Sequence, residues 1–593
     1  MRAQKSDVST DNQLAMQYYR NGEFEKAAEV YQRLYYTNRS SAYYRYLLNS
    51  LINLKGYDKG ESLIKDRQKI DKYDLSIWVD LGYIYTLQND AAKAKSTYQG
   101  AIKKLRADPN QIMDLANAFL THSLYTYAEE TYDEGGKLLG SSYGFEMEKG
   151  QLYFYMRDYD KMIASYLDLL QIDEQYLQTV QNRLQHAVYT DIDESLKQKL
   201  KDALLVRVNK NPEVLVFSEL LVWLFIQDSD FESAFIQARA LDMRLGENGK
   251  RILALARVAS ENNDFNVAVE AYDYVIKRGK HLEYYYAARN EMLEVMYKRI
   301  VLGIDNTPND FQQMETAFIN ALHEMGTNLN TIDLLANLAH LQAFYLGKTT
   351  QALFLLEDAI TLRGLNFMQK GKLELELADI YLVDAKVWDA TLMFARVEED
   401  NKNNPIGSEA KFRKARLAYF IGNFEWSRAQ LDVLKASTSK LIANDAAELS
   451  LFIFENTGWD TIETAMEIYT RADFLYYQAK DSLAIVSLDS LINQFPQHEV
   501  IDEAYYLKAK VYQRLRKFDK AIESYQYIVD NHYHDILADN ALYAIATIYE
   551  KELKNNEKAL ELYKQVMVDF PSSIYKMESR LRFRKLRGDE VVN

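Results

Sequence analysis

The chain is predicted to be an all-α solenoid of stacked helical hairpins, and three observations carry that prediction. A small side chain, or once a methionine, recurs at Ala27, Gly60, Ala94, Ala128 and Met162, in steps of 33, 34, 34 and 34 residues. Four positions after each stands an apolar or aromatic residue, Tyr31, Ile64, Tyr98, Tyr132 and Tyr166, which is the spacing of one helix face. Gly and Pro number only 22 and 6 in 593 residues, which favours long helical runs. A helix pair of this length cannot cover its own apolar face, so consecutive pairs must stack.

The stretch from Trp78 to Ala101 shows the unit most fully. Counted with Trp78 as position 4, Trp78, Leu81, Gly82, Tyr85, Ala94, Tyr98 and Ala101 fall at positions 4, 7, 8, 11, 20, 24 and 27 of a 34-residue period. Small Gly82 and Ala94 let two backbones approach; large Tyr85 and Tyr98 fill the space beside them. All seven read as core. The pattern resembles the tetratricopeptide repeat, two antiparallel helices joined by a tight turn. The resemblance implies a right-handed superhelix whose first helices line an inner curve that binds protein or peptide.

In chain order, residues 1–12 are expected to be a disordered start or the remnant of a processed signal. Arg2-Ala3-Gln4 reads like the residue left at a cleavage point, followed by polar Lys5 to Asn12; this resembles exported proteins of some Gram-negative bacteria, and a plain cytosolic start is the alternative. Residues 13–170 hold about five repeats. Register is lost over 171–211, although Leu184, Val188, Ile192, Leu196 and Leu200 keep helical spacing; an irregular helix pair is expected there. Asn211-Pro212 marks a new start, and 212–435 forms a middle array, anchored at Ala234 and Ala268, 34 residues apart. Gly303 to Asp310 reads as a loop ending in a helix cap. Degenerate units follow around Ala352, Ala378, Ala390 and Phe424. Residues 436–464 are expected to be an irregular helical connector. The array of 465–593 carries anchors at Ala484, Ala521 and Ala559, in steps of 37 and 38. It ends in a basic helix, Arg580 to Arg587, whose cations and following Gly588 form a stop signal. Roughly ten to twelve hairpins are expected in all.

Two of the C-terminal units end in Phe495-Pro496 and Phe570-Pro571-Ser572-Ser573. Such endings resemble those of bacterial envelope repeat proteins, the outer-membrane-protein assembly lipoproteins and the Tol–Pal coordinator family. That resemblance implies a periplasmic complex concerned with outer-membrane assembly, secretion or transport. The lipid-bearing Cys of the lipoproteins has no counterpart here.

Composition excludes several chemistries. Cysteine is absent, which removes disulfides, thiol nucleophiles and thiolate zinc sites. A net charge of −15 disfavours a nucleic-acid partner. No apolar run approaches the roughly 18 residues of a membrane span. His532 and His534 flank Tyr533 in an expected turn, with no third metal ligand at a known spacing. Gly246-Glu247-Asn248-Gly249-Lys250 lacks the gap and the Ser/Thr of a phosphate loop and reads as a helix stop. Carboxylate runs such as Glu398-Glu399-Asp400 lie at expected helix ends, where no apolar surroundings raise a pKa for acid–base work. The sequence names no cofactor, no metal and no catalytic residue.

The first-helix positions that face the inner curve supply the candidate partner-binding residues: Tyr19, Arg20, Arg45, Asn49, Tyr83, Met113, Asn117, Met147, Gln151, Phe154 and Tyr155. Their mixed aromatic and polar character suits an extended peptide or a partner helix. A clamp for a C-terminal carboxylate is not expected, because positions 5 and 9 of the first three units carry Asn12, Arg45 and Val79, then Met16, Asn49 and Tyr83, of which only Arg45 and Asn49 fit. The function expected is a non-catalytic interaction scaffold in an envelope complex. The alternatives are a cytosolic regulator that senses a short peptide or helix and, behind it, an enzyme with an unrecognised site.

Overall fold

Residues 8–140, 144–191, 195–302, 307–437, 440–457 and 464–588 are described by the computed structural model. Among them the chain forms thirty-two α-helices and no strand. It divides into two units, residues 1–224 and 225–593, each a solenoid of antiparallel hairpins.

Unit one opens with five regular hairpins: Val8–Arg20 with Phe24–Asn38, Ser41–Asn53 with Tyr57–Ile70, Ser76–Leu87 with Ala91–Ile102, Pro109–Thr121 with Tyr125–Leu139, and Glu146–Met156 with Tyr159–Ile172. The first helix begins at Val8, so residues 8–12, expected to be unstructured, are its opening turns; Arg2-Ala3-Gln4 lies outside the described residues. The anchors behave as their sizes require. Ala27, Ala94, Ala128 and Met162 are buried, and Tyr31, Ile64, Tyr98, Tyr132 and Tyr166 pack beside them. A methyl placed on Gly82 would lie 2.2 Å from the Tyr98 ring, and one on Gly150 would lie 2.3 Å from the Tyr166 ring. Gly82 and Gly150 are therefore glycine because the tyrosine of the second helix lies against their backbone. Two of the seven expected core residues sit at the rim instead: Trp78 is half-buried under the Lys104 ammonium, 4.1 Å from its ring, and Tyr85 reaches back to Glu61.

That last contact is one of a series. The hydroxyls of Tyr85, Tyr153 and Tyr381 donate to Glu61, Glu129 and Glu357, each 24 residues earlier on the preceding second helix, at 3.0, 2.9 and 3.3 Å. Hydrogen bonds to a charged partner contribute about 1.5–3 kcal/mol, the lower end applying here because each carboxylate is at least partly exposed. The turns repeat as well. Gly22, Lys55, Asn89, Ser123 and Arg157 hold the same left-handed conformation, φ between 55° and 77°, two residues before each second helix. Asp90 and Asp158 then cap those helices by accepting from the N–H of Lys93 and Lys161, which satisfies a backbone donor the helix cannot.

Residues 171–211, where an irregular helix pair is expected, hold the helices Leu177–Thr190 and Leu196–Lys210. Val180, Leu184 and Ala187 bury one stripe of Leu177–Thr190, and Leu196, Leu200 and Leu204 bury one of Leu196–Lys210. Asp191 separates them because its carboxylate accepts from the N–H of Leu196 at 2.8 Å and starts a new helix; Ile192 lies outside the described residues. The second of these helices is tied to Tyr159–Ile172 by ion pairs of Lys199 with Asp160 and Arg207 with Asp168.

Helix Leu215–Gln227 spans the division between the units. Unit two continues with Phe231–Leu245, then hairpins Lys250–Glu261/Phe265–Lys277, Tyr285–Val301/Pro308–Met325, Ile332–His340/Thr349–Ala359, Phe367–Val383/Val387–Asp400 and Pro405–Phe420/Phe424–Ser437. Three hairpins close it, Thr464–Tyr477/Asp481–Gln494, Ile501–Arg514/Phe518–Asn531 and Ala538–Lys551/Asn556–Asp569, followed by Lys576–Arg587. Among the described residues fourteen hairpins thus lie wholly within the two units, against the ten to twelve expected.

Within 436–464, where an irregular helical connector is expected, Lys440–Thr457 forms one continuous 18-residue helix. It packs on Phe424–Ser437, burying Ile442, Ala446, Ser450 and Ile453, and it has no hairpin mate. Gly458 and most of the turn at Ala436 to Lys440 lie outside the described residues or their side chains. Other stops fall where expected. Asp310 accepts from the N–H and hydroxyl of Thr307 at 2.6 and 3.0 Å, opening Pro308–Met325. Gly588, at φ 80°, ends the basic helix.

Candidate protein-interaction surface

The expected partner surface lies on the first helices of unit one, and packing divides its eleven residues into two groups. Arg20, Arg45, Asn117 and Tyr155 are exposed, Tyr155 by 54%. Tyr19, Asn49, Tyr83, Met113, Met147, Gln151 and Phe154 are half-buried. The reason is the neighbouring first helix. Tyr19 meets Tyr46 edge-on at 5.1 Å, Tyr83 stacks on His122 at 3.9 Å, and Phe154 lies 5.6 Å from His186. The Gln151 side-chain oxygen accepts from the Arg183 guanidinium, and Met113 packs at the edge of the core. These side chains join repeat to repeat, which leaves their edges and the exposed residues between them open.

A polar ladder missed by sequence runs beneath this face. The buried Tyr44 hydroxyl donates to Asp80 at 2.9 Å, and the other Asp80 oxygen stands 3.8 Å from His122 Nε2. Burial and the Asp80 charge push the Tyr44 hydroxyl well above the usual phenol range. Tyr44 and Asp80 belong to adjacent units, and only the superposition of units by period would have paired them. Tyr155 also borders an open groove of about 410 Å³, lined with Ser123, Leu124, Tyr125, Thr126, Tyr127 and Met156.

Unit two supplies polar clusters of a different kind. Asp242, fully buried, accepts from the Gly249 N–H at 2.7 Å, the Tyr274 hydroxyl at 3.0 Å and the Arg278 guanidinium at 3.0 Å. The Gly246–Lys250 segment is therefore a structural stop, with both glycines left-handed, as its missing phosphate-loop residues implied. Burial, with the charges of Asp333 and Glu291, raises the Glu294 carboxyl to about 7. Burial and the hydrogen bond and charge of Asp502 raise Glu503 far out of the carboxylate range. Glu398 is engaged by Lys414. His532 pairs with Asp535 at 2.9 Å, and among the described residues no three His, Asp or Glu side chains are placed to hold a metal ion. No helix among them is long and apolar enough to cross a membrane.

Three solved structures resemble the chain over long stretches at low identity. The APC/C hetero-tetramer Cut9-Hcn1 has a TM-score of 0.24 and 11% identity, covering 98% of this chain and 96% of that one. Naa15/Naa10 bound to HypK-THB has a TM-score of 0.25 and 13% identity, covering 99% and 98%. A tetratricopeptide repeat protein from Parabacteroides merdae has a TM-score of 0.27 and 14% identity, covering 54% and 99%. No curated protein matches by sequence. One model of the tetratricopeptide repeat matches residues 506–574, and another matches 75–103 and 147–176. These segments fall on stacked antiparallel hairpins of the kind that the spacing around Trp78 required, and stretches of both units thus match the tetratricopeptide repeat.

Proposed function

We propose that the protein is a non-catalytic scaffold whose first-helix face in unit one holds an extended peptide or a helix of a partner protein. The observation that carries this reading is the division of the surface. Tyr19, Tyr83 and Phe154 are fixed by the next helix, while Arg20, Arg45, Asn117 and Tyr155 stay exposed between them. Rigid aromatic edges give contact area at little entropic cost, and the exposed polar groups give hydrogen bonds that fix register. A photocrosslinking residue at Asn117 or Tyr155 is expected to capture a discrete partner. The same residue at Glu29 or Glu130, on second helices, is expected to capture none. Equal capture at all four, or capture at none, would refute the proposal.

The setting we propose is a periplasmic complex of the bacterial envelope. The aromatic–proline endings at Phe495-Pro496 and Phe570-Pro571 support it. Release of the native protein by osmotic shock would be the expected result; retention with the cytosol would favour the cytosolic regulator instead.

A further inference from the structure

The helix Lys576–Arg587 has two unlike faces. One packs on Asn556–Asp569: Ser579 is fully buried, Phe583 and Leu586 lie against the core, and Arg582 is held between Glu550 at 3.0 Å and Glu578 at 2.9 Å. The opposite face is open. Met577 and Leu581, one turn apart, are exposed by 64% and 39%, and Ile574, three residues before Met577, by 81%. Arg580 follows Met577 by three positions, and Arg584 and Lys585 follow Leu581 by three and four. That spacing sets the five side by side on one helix face, with Ile574 at its start. Among the described residues none of these three cations pairs with a carboxylate. The strip is therefore apolar along its middle and cationic along its edges.

Charge on the helix beneath is balanced. Glu561 pairs with Lys558, Asp569 accepts from the Tyr533 hydroxyl, and exposed Glu557 is matched on the same helix by exposed Lys564. Residues 570–593 carry six basic side chains against Glu578, Asp589 and Glu590, in a chain whose net charge is −15. The cationic excess is thus local, and salt screening over about 8 Å keeps the rest of the chain from cancelling it. Such an excess is complementary to an anionic partner. The apolar middle narrows the choice. Nucleic acid would set Ile574, Met577 and Leu581 against phosphate. An acidic peptide would need a groove, and a single helix face is a ridge. A bilayer surface accepts a ridge: apolar side chains enter the boundary between headgroups and acyl chains, while arginine and lysine beside them reach the lipid phosphates.

We propose that the outer face of Lys576–Arg587 docks unit two on an anionic lipid surface, with Ile574, Met577 and Leu581 inserted and Arg580, Arg584 and Lys585 on the lipid phosphates. The full chain is expected to sediment with vesicles of equal parts phosphatidylglycerol and phosphatidylcholine at about 0.15 M salt, and to stay in solution with phosphatidylcholine alone. Each basic residue near such a surface raises affinity about fivefold. Arg580→Gln/Arg584→Gln/Lys585→Gln should therefore bind about 100-fold more weakly, with helical content and Tm unchanged. Met577→Ser/Leu581→Ser should bind at least about tenfold more weakly, a loss that a purely electrostatic contact would not show. Lys59→Gln/Lys95→Gln/Lys103→Gln removes the same charge from exposed lysines of unit one and should bind as the wild type does. No sedimentation with the anionic vesicles, equal sedimentation with the neutral ones, unchanged binding by either C-terminal variant, or equal loss in the two triple variants would each overturn the proposal.

Discussion

Replacing Gly82 by alanine tests the packing rule on which the repeats are built. In isolation the change should help, because alanine in a helix interior is better than glycine by about 1 kcal/mol. Here the new methyl would lie 2.2, 2.5 and 2.8 Å from Cε1, Cδ1 and Cζ of Tyr98. Tyr98 is only 2% exposed, its ring lies 5.5 Å from Phe119 and 4.9 Å from Tyr127, and its hydroxyl is 3.1 Å from that of Thr86. The ring cannot retreat without moving both neighbours. Overpacking of this kind costs about 1–3 kcal/mol, and losing the hydroxyl contact adds about 1 kcal/mol. Against the propensity gain, a net destabilisation of about 1–3 kcal/mol is expected. Gly136 is the internal control: it also lies inside a unit-one helix, but nothing stands within 4 Å of its added methyl, so Gly136→Ala should stabilise by up to about 1 kcal/mol. Denaturant unfolding read by circular dichroism, with hydrogen exchange to localise the effect, compares the two. Equal shifts in the same direction would refute the close helix approach.

Three further outcomes are expected. Lys55, left-handed at φ 55°, carries strain of about 1–2 kcal/mol; Lys55→Gly should relieve it and, after the entropic cost of glycine, stabilise unit one by about 0.5–1 kcal/mol in the same unfolding assay. Asp242→Ala removes the buried acceptor shared by Gly249, Tyr274 and Arg278, so a loss of about 3 kcal/mol or more is expected, with protection from exchange falling first in Phe231–Leu245 and Lys250–Glu261. The Glu294 carboxyl is raised to about 7, by burial first and then by Asp333 and Glu291. The folded state therefore binds its proton more tightly than the unfolded chain, and the stability this confers is present at low pH and lost as pH rises through about 7. The Tm of the wild type should fall more steeply than that of Glu294→Gln between roughly pH 5 and pH 8; parallel curves would count against the assignment.

The regular hairpins were legible because size alternates at fixed spacing. A small residue beside a tyrosine, as at Gly82 and Tyr98, has one sensible arrangement. Stops at Gly246 and Gly588 were equally plain, since backbone conformation demanded glycine there. The length of the helix Lys440–Thr457 was less legible, because apolar Leu441, Leu451 and Phe454 stand exposed among Asn444, Asp445, Glu448 and Glu455 and blur the period set by buried Ile442, Ala446 and Ile453. The exposure of the candidate surface residues was half legible. Their positions followed from the unit, but the loss of Tyr83 to His122 and of Phe154 to His186 depends on residues 39 and 32 places further on, which only the stacked backbone brings near.

The tyrosine–carboxylate contacts at a separation of 24 residues have a mechanical meaning. Each joins one hairpin to the one before it, and three such junctions carry it: Glu61 with Tyr85, Glu129 with Tyr153, and Glu357 with Tyr381. A solenoid drawn out by its ends yields at its weakest seams, because load passes through every junction in series. Those three seams should be the last of their neighbourhoods to part, so under tension the array should lengthen in unequal steps rather than as a uniform spring.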